Sequence, residues 1–159
     1  MLGFGRKRTE SRARIAAIQA DGRRVRAHLA AQLLFATDHL QLAARQLWTD
    51  AYSRGYVFGA FDALLSDLPP EHRDDATTAN LIQTGFVSFS TNAFAIGERE
   101  ATEALADLRR RQLAAPLRHA IADGRSDGLQ MRQGMPAMLW LAHLVSISKV
   151  HPAIPTRAT

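Results

Sequence analysis

Apolar residues in the first third of the chain recur at steps of three and four, the spacing that places them on one face of an α-helix. This pattern predicts a helix over residues 9–50. Asp21 and Gly22 interrupt the pattern, because a glycine inside a helix costs about 1 kcal/mol relative to alanine. Two arrangements therefore stay open: one long helix, or an arm helix followed by a core helix that begins near Arg23.

The middle of the chain predicts two more helices. Residues 51–68 carry apolar side chains around most of the helix circumference, which indicates a deeply buried helix that the following prolines end. Asp74 or Asp75 can then cap a helix over residues 76–112. The first half of that helix is apolar on one face, and its second half is charged.

Proline and glycine divide the last third of the chain. Residues 116–123 predict a short helix, because proline is tolerated in the first turn of a helix. The two glycines within residues 124–128 indicate a turn. A last, strongly apolar helix is expected over residues 136–150, and the proline-containing residues 151–159 are expected to form a flexible tail.

Length and composition indicate a single domain with a hydrophobic core. The chain has 159 residues, of which 47% are hydrophobic and 22% are charged, and it has no cysteine. A chain of this size buries roughly 70% of the surface that it exposes when unfolded. The absence of cysteine excludes disulfides and thiolate chemistry. We therefore predict an all-α helical bundle of four to six helices, with one or two long helices at about residues 9–50 and 76–112.

Positive charge is concentrated at the N-terminus. The net charge of the whole chain is +5, and residues 1–26 hold eight basic and two acidic side chains. This asymmetry divides the chain into a basic arm or helix extension over residues 1–22, a helical bundle domain over residues 23–150, and the tail over residues 151–159. Such an arm can contact nucleic-acid phosphates, an anionic membrane surface or an acidic protein. The candidate phosphate- or partner-binding residues are Arg6, Lys7, Arg8, Arg12, Arg14, Arg23, Arg24 and Arg26.

Two runs of small residues at every fourth position predict a helix-packing seam. Small side chains at this spacing let the backbone of another helix approach closely. Either the two runs face each other inside one bundle, which we expect, or they form a contact with another protein. The first run is Ala51, Gly55, Gly59 and Ala63, and the second is Ala93, Gly97 and Ala101.

The sequence contains no complete catalytic or metal-binding motif. Asp62 lies in an apolar helix, where a carboxylate is costly unless it is paired, so we expect an ion pair with another segment; a catalytic acid is the alternative. Residues 123–128 begin like a calcium-binding loop, but Arg125 stands where an oxygen ligand belongs. His28 and His39 lie about 16 Å apart along one helix and cannot share a metal ion. We therefore predict no catalytic residue, no cofactor and no metal site.

The predicted length of the first helix favours a homodimer. A single helix over residues 9–50 would be about 60 Å long, whereas a domain of this size has a radius of gyration of about 15 Å. We therefore predict a non-enzymatic interaction or regulatory protein that acts through helix surfaces on a protein partner. The alternatives are a nucleic-acid-binding protein that uses the basic arm and a peripheral membrane protein. A cytoplasmic location is expected, because the N-terminal residues lack the pattern of a secretory signal.

Overall fold

The computed structural model describes residues 3–73 and 75–150, with side chains from Thr9 onward, and over these residues the protein is helical without strands. The predicted fold class, an all-α helical bundle, is confirmed. The described residues form eight α-helices and one short 3₁₀ helix, more than the predicted four to six helices, and the two long helices expected at residues 9–50 and 76–112 are shorter than predicted. The α-helices are α1 (Gly3–Asp38), α2 (Ala44–Thr49), α3 (Ala51–Asp62), α4 (Pro70–Arg73), α5 (Ala76–Phe94), α6 (Glu98–Arg111), α7 (Ala115–Arg132) and α8 (Leu139–Val150).

The first helix is one continuous element that runs through Gly22. α1 spans Gly3–Asp38 rather than the predicted residues 9–50, and its 36 residues give a length of about 54 Å. Ile18, which lies within the predicted arm, belongs to the hydrophobic core, so core packing extends across Gly22 and offsets its low helix propensity. After α1, Gln41 has a positive φ of 57°, and the chain turns there into the separate helix α2.

The predicted long helix over residues 76–112 is two helices joined by a bend. Ala95 adopts a left-handed conformation with a φ of 52°, which ends α5, and Gly97 is the N-cap of α6. The bend packs α6 against α5 and buries Leu105 and Leu108 of the charged half. The sequence pattern missed this break, because alanine ordinarily favours a continuous helix.

α3 lies at the centre of the bundle, as its apolar circumference predicts. It packs against α1, α2, α5, α6 and α7. Asp50 caps its N-terminus by accepting a hydrogen bond from the Ser53 backbone N–H at 2.9 Å. The predicted helix over residues 51–68 ends earlier, at Asp62, and the 3₁₀ helix Ala63–Leu65 follows it.

α7 is longer than predicted, because its glycines pack against α3. The short helix expected over residues 116–123 and the turn expected over residues 124–128 are parts of one helix, Ala115–Arg132. Gly124 and Gly128 are buried in its interior. Glycine has a low helix propensity and lowers the stability of α7. The close packing of these glycines against the backbone of α3 compensates for that loss.

The other helix ends lie close to their predicted positions. Asp75 caps α5 by accepting a hydrogen bond from a backbone N–H two residues later at 3.4 Å. The other candidate cap, Asp74, lies outside the described residues. α8 begins at Leu139, three residues after Pro136. The predicted flexible tail over residues 151–159 also lies outside the described residues.

Candidate functional site

The basic residues of the N-terminal segment lie on α1 but face different directions. Arg12 and Arg23 lie three turns apart on one edge of the helix, and Arg26 lies one turn beyond Arg23. All three side chains are exposed, and none forms an ion pair with any residue that the structure describes. Arg24 lies on another edge. Arg14 is half-buried, and its buried Nε has no hydrogen-bond partner among the described residues.

Arg24 is exposed, but its guanidinium contacts neighbouring groups of the protein. Its Nη1 lies 2.9 Å from Asp21 and donates a hydrogen bond to the backbone oxygen of Arg132 at 3.3 Å. Arg132 pairs in turn with Asp21 at 3.1 Å and with Asp67 at 2.7 Å. This cluster ties α1 to the C-terminal end of α7. The side chains of three further predicted binding residues lie outside the described part of the chain: Arg6, Lys7 and Arg8.

The first run of small residues packs against α7. A Cβ on Gly59 would collide with the backbone carbonyl of Ile121. A Cβ on Gly55 would stand 2.9 Å from the Cβ of Ala120, closer than real Cβ atoms approach. Only residues without a side chain permit this distance between two helices. This part of the predicted seam therefore lies inside the bundle.

α7 contributes a matching run of small residues that the sequence analysis missed. A Cβ on Gly124 would collide with the backbone of Tyr56, and a Cβ on Gly128 would lie 2.8 Å from the Cβ of Ala63. With Ala120 these glycines are spaced by four residues. That spacing is the signal in the sequence, although proline and glycine in the same residues predict a short helix and a turn.

The second run of small residues is not the partner of the first. Ala93 and Ala101 lie on different helices, on either side of the bend between α5 and α6. Gly97 is exposed, and a Cβ there would meet nothing within 4 Å. The expectation that the two runs face each other is therefore wrong. Ala51 is exposed at the start of α3.

Asp62 is paired with another segment, as its apolar surroundings predict. The Nε of Arg125 donates a hydrogen bond to Oδ2 of Asp62 at 2.6 Å. The side chains are 28% exposed for Asp62 and 48% exposed for Arg125. Because both groups reach solvent, such a pair is worth only about 0–1 kcal/mol. The ion pair explains the carboxylate without a catalytic role.

Two tyrosines of α3 donate to two aspartates of α7 with the same spacing. The hydroxyl of Tyr52 donates to Asp123 at 2.7 Å, and that of Tyr56 donates to Asp127 at 2.6 Å. Burial and these hydrogen bonds raise the pKa of both phenols far above the usual value of about 10. Both hydroxyls are therefore protonated donors at every physiological pH.

Asp127 also holds the start of α8, together with Gln32 of α1. The carboxylate of Asp127 accepts a hydrogen bond from the backbone N–H of Leu139 at 2.8 Å. The side-chain oxygen of Gln32 accepts one from the backbone N–H of Leu141 at 3.0 Å. The first backbone N–H groups of a helix have no acceptor within the helix. Asp127 and Gln32 provide acceptors for two of these groups in α8, as an N-cap side chain would.

An aspartate, a serine and a histidine lie together at the N-terminus of α3, but they are not arranged as a catalytic triad. Oδ2 of Asp50 accepts a hydrogen bond from the Ser53 hydroxyl at 2.7 Å and lies 2.9 Å from Nε2 of His143. Ser53 is fully buried and accepts a hydrogen bond from Nε1 of Trp140 at 3.0 Å. The carboxylate therefore stands between the serine and the histidine, whereas a nucleophilic serine needs the histidine as its base.

The charge on Asp50 is stabilised by this arrangement. Burial alone would raise the pKa of its carboxyl group, but the hydrogen bonds from His143 and Ser53 outweigh burial and lower the pKa below its usual value. Asp50 is thus an ionised anchor that connects α3 to α8.

Among the described residues, no group of three or more histidine, aspartate or glutamate side chains is placed to hold a metal ion. Within the same ranges, every helix is too short or too polar to cross a bilayer. No protein-family model matches the chain, and neither does any curated protein or solved structure.

Proposed function

We propose that the protein is a non-enzymatic interaction protein that works as a homodimer through the outer face of α1. The observation that supports this most directly is Leu34, a large apolar residue that is 61% exposed. Small apolar residues continue its line toward the N-terminus of the helix. The outer face consists of Ala13, Ala16, Ala20, Arg23, Ala27, Ala30 and Leu34.

The outer face lies opposite the face that packs on the core. Ala27 lies two residues from both Val25 and Leu29, which are buried, and so points away from them. A helix face in contact with water normally carries polar and charged side chains. Here six of the seven positions are apolar, and they alternate in steps of three and four as in a coiled-coil seam.

A second copy of α1 in antiparallel orientation complements this face. Leu34 then lies opposite Ala13 of the partner subunit, so that a large residue meets a small one. Asp38 lies within one turn of Arg12 of the partner subunit, which pairs opposite charges. Arg23 falls near the symmetry axis, where its flexible stem turns the guanidinium outward. Two-fold contacts of this kind are the commonest among homo-oligomers.

Size-exclusion chromatography with light scattering tests the dimer through the double variant Ala27→Lys, Leu34→Lys. We expect the wild-type protein to be a dimer and the double variant to be a monomer, because lysines place like charges in the seam. The matched control Ala106→Lys, Leu113→Lys makes the same changes at exposed positions outside α1 and should stay dimeric. The proposal is contradicted if the wild-type protein is a monomer at every concentration measured. It is also contradicted if the double variant stays dimeric while circular dichroism shows unchanged helix content.

A further inference from the structure

A groove of about 350 Å³ lies between α1, α3 and α5. Its floor is apolar and includes Ile18, Leu64 and Leu81. Its rim carries Arg23 and Arg26 of α1. Small-molecule sites in proteins are typically concave, mostly apolar and about 300–1,000 Å³ in volume, with a few polar groups that orient the ligand. The groove has this composition and a size suited to a short ligand.

The two arginines at the rim carry uncompensated charge. Both are exposed, and neither forms an ion pair or a side-chain hydrogen bond with the residues that the structure describes. The residues that line the groove include no acid. The facing helix, α5, has no charged residue along its whole length, so the opposite wall does not balance the two guanidinium groups. An anion at the rim would supply the missing partner.

A second groove, beside Asp62, shows the opposite situation. It is lined by two arginines as well, Arg73 and Arg125, and both are engaged. Arg125 pairs with Asp62 at 2.6 Å, and Arg73 donates to the backbone oxygens of Leu68 and Ser66 at 2.8 Å. That groove therefore has no free cation for a ligand.

Two glycines keep the groove between α1, α3 and α5 open. A Cβ on Gly22 would lie 3.6 Å from Leu64, an ordinary contact, so packing does not require glycine there. Alanine would also favour the helix. A Cβ on Gly85 would lie 3.1 Å from the ring of Phe61. Both glycines line the groove, and a side chain at either position would occupy part of it.

We propose that this groove binds an amphipathic anion. The carboxylate or phosphate head of the ligand pairs with Arg23 and Arg26, since guanidinium groups bind these heads through two hydrogen bonds at once. A short apolar body lies on the floor between α1 and α5. This site goes beyond the proposed dimer. Arg26 is not part of the outer face of α1, so the variant Arg26→Gln tests the groove separately from the dimer.

Isothermal titration calorimetry with octanoate and octyl phosphate tests the site and distinguishes the two head groups. We expect the wild-type protein to bind at least one of them, and 1-octanol or inorganic phosphate at least about tenfold more weakly. Arg26→Gln should weaken binding severalfold, and Arg23→Gln, Arg26→Gln should weaken it at least about tenfold. The matched control Arg109→Gln, Arg118→Gln removes two exposed charges elsewhere and should bind as the wild type does.

The amide NMR signals of Gly22 and Gly85 locate the ligand. They should shift on addition of octanoate, and Thr84→Trp, a change at an exposed lining residue, should abolish the shifts. Equal binding of 1-octanol, or unchanged binding by the Arg23→Gln, Arg26→Gln variant, overturns the proposal. Displacement of octanoate by a DNA duplex would show that Arg23 and Arg26 contact nucleic acid, which overturns the proposal in favour of that partner. Absence of binding by both octanoate and octyl phosphate likewise refutes the site.

Discussion

The α3–α7 interface and the outer face of α1 are both lined by small residues, yet one is closed and the other is open. Between α3 and α7, glycines bring the backbone of one helix against the other, as Gly59 and Gly124 show. On α1, alanines face outward beside the exposed Leu34. Glycine weakens a helix and is explained only where backbones touch, whereas alanine suits a helix in water or against a partner. The spacing of small residues alone therefore does not identify a buried helix-packing seam.

The largest expected effect comes from adding a methyl group within the closed interface. Gly59→Ala and Gly124→Ala should each destabilise the protein by more than about 3 kcal/mol, because the new Cβ meets a backbone atom that cannot move aside. Urea denaturation followed by circular dichroism measures the free energy of unfolding.

The same substitution on α1 is the control. Gly22→Ala should raise the free energy of unfolding by about 1 kcal/mol, because the Cβ fits beside Leu64 and the helix propensity improves. If Gly59→Ala were as harmless as Gly22→Ala, the close approach of α3 and α7 would be wrong.

The next largest effects are expected at Asp127 and Gln32, the two side chains that accept hydrogen bonds from the start of α8. Asp127→Ala should cost about 2–4 kcal/mol, since it leaves the buried Tyr56 hydroxyl and the Leu139 N–H without their acceptor. Gln32→Ala on α1 should cost about 1 kcal/mol, since it removes a single neutral hydrogen bond to Leu141. Thermal unfolding of both variants measures which one loses more stability. A larger loss for Gln32→Ala would show that α8 is held mainly by α1.

A pH titration of stability tests the anchor at the other end of α3. Asp50 has a lower pKa in the folded protein than in the unfolded chain, so its contribution is complete at neutral pH and is lost as pH falls through the folded pKa. Asp50→Asn should cost about 1–2 kcal/mol at pH 7. The difference from wild type should shrink as the pH is lowered below about 4. Two parallel curves of unfolding free energy against pH would exclude this linkage.

The smallest effect is expected at the exposed rim of the α3–α7 interface. Asp62→Asn should change stability by less than about 1 kcal/mol, because solvent and salt screen its pair with Arg125. Arg125→Gln should have the same effect, and salt at about 0.5 M, roughly three times the physiological ionic strength, should reduce both changes in stability. A loss comparable to that of Asp127→Ala would show that Asp62 has a role beyond this pair.

The parts of the fold that depend on local pattern were predictable from the sequence. The buried position of α3, the cap at Asp75 and the pairing of Asp62 each follow from residues within a few turns. The break at Ala95 was not predictable, because an alanine with positive φ has no local signal. The role of Gly124 depends on a helix that lies about sixty residues earlier, so its local sequence indicated a turn.

The polar contacts between the helices could not be predicted from the sequence either. Tyr52 and Tyr56 are four residues apart, as are Asp123 and Asp127, and each pair of partners is 71 residues apart in the sequence. The matched spacing becomes visible only when α3 and α7 are known to be neighbours. The free arginines of the groove were named from charge alone, and only the structure places Arg23 and Arg26 beside an apolar floor.

The sequence separation of α3 and α7 governs when the bundle can close during synthesis. About 65 residues lie between Gly59 and Gly124, and at ribosomal speeds of about 5–20 residues per second their synthesis takes roughly 3–13 s. Closing so long a loop also slows folding of the complete chain. For those seconds α3 has no helix against its glycine face, and the nascent chain leaves uncovered an apolar surface that is buried in the finished protein.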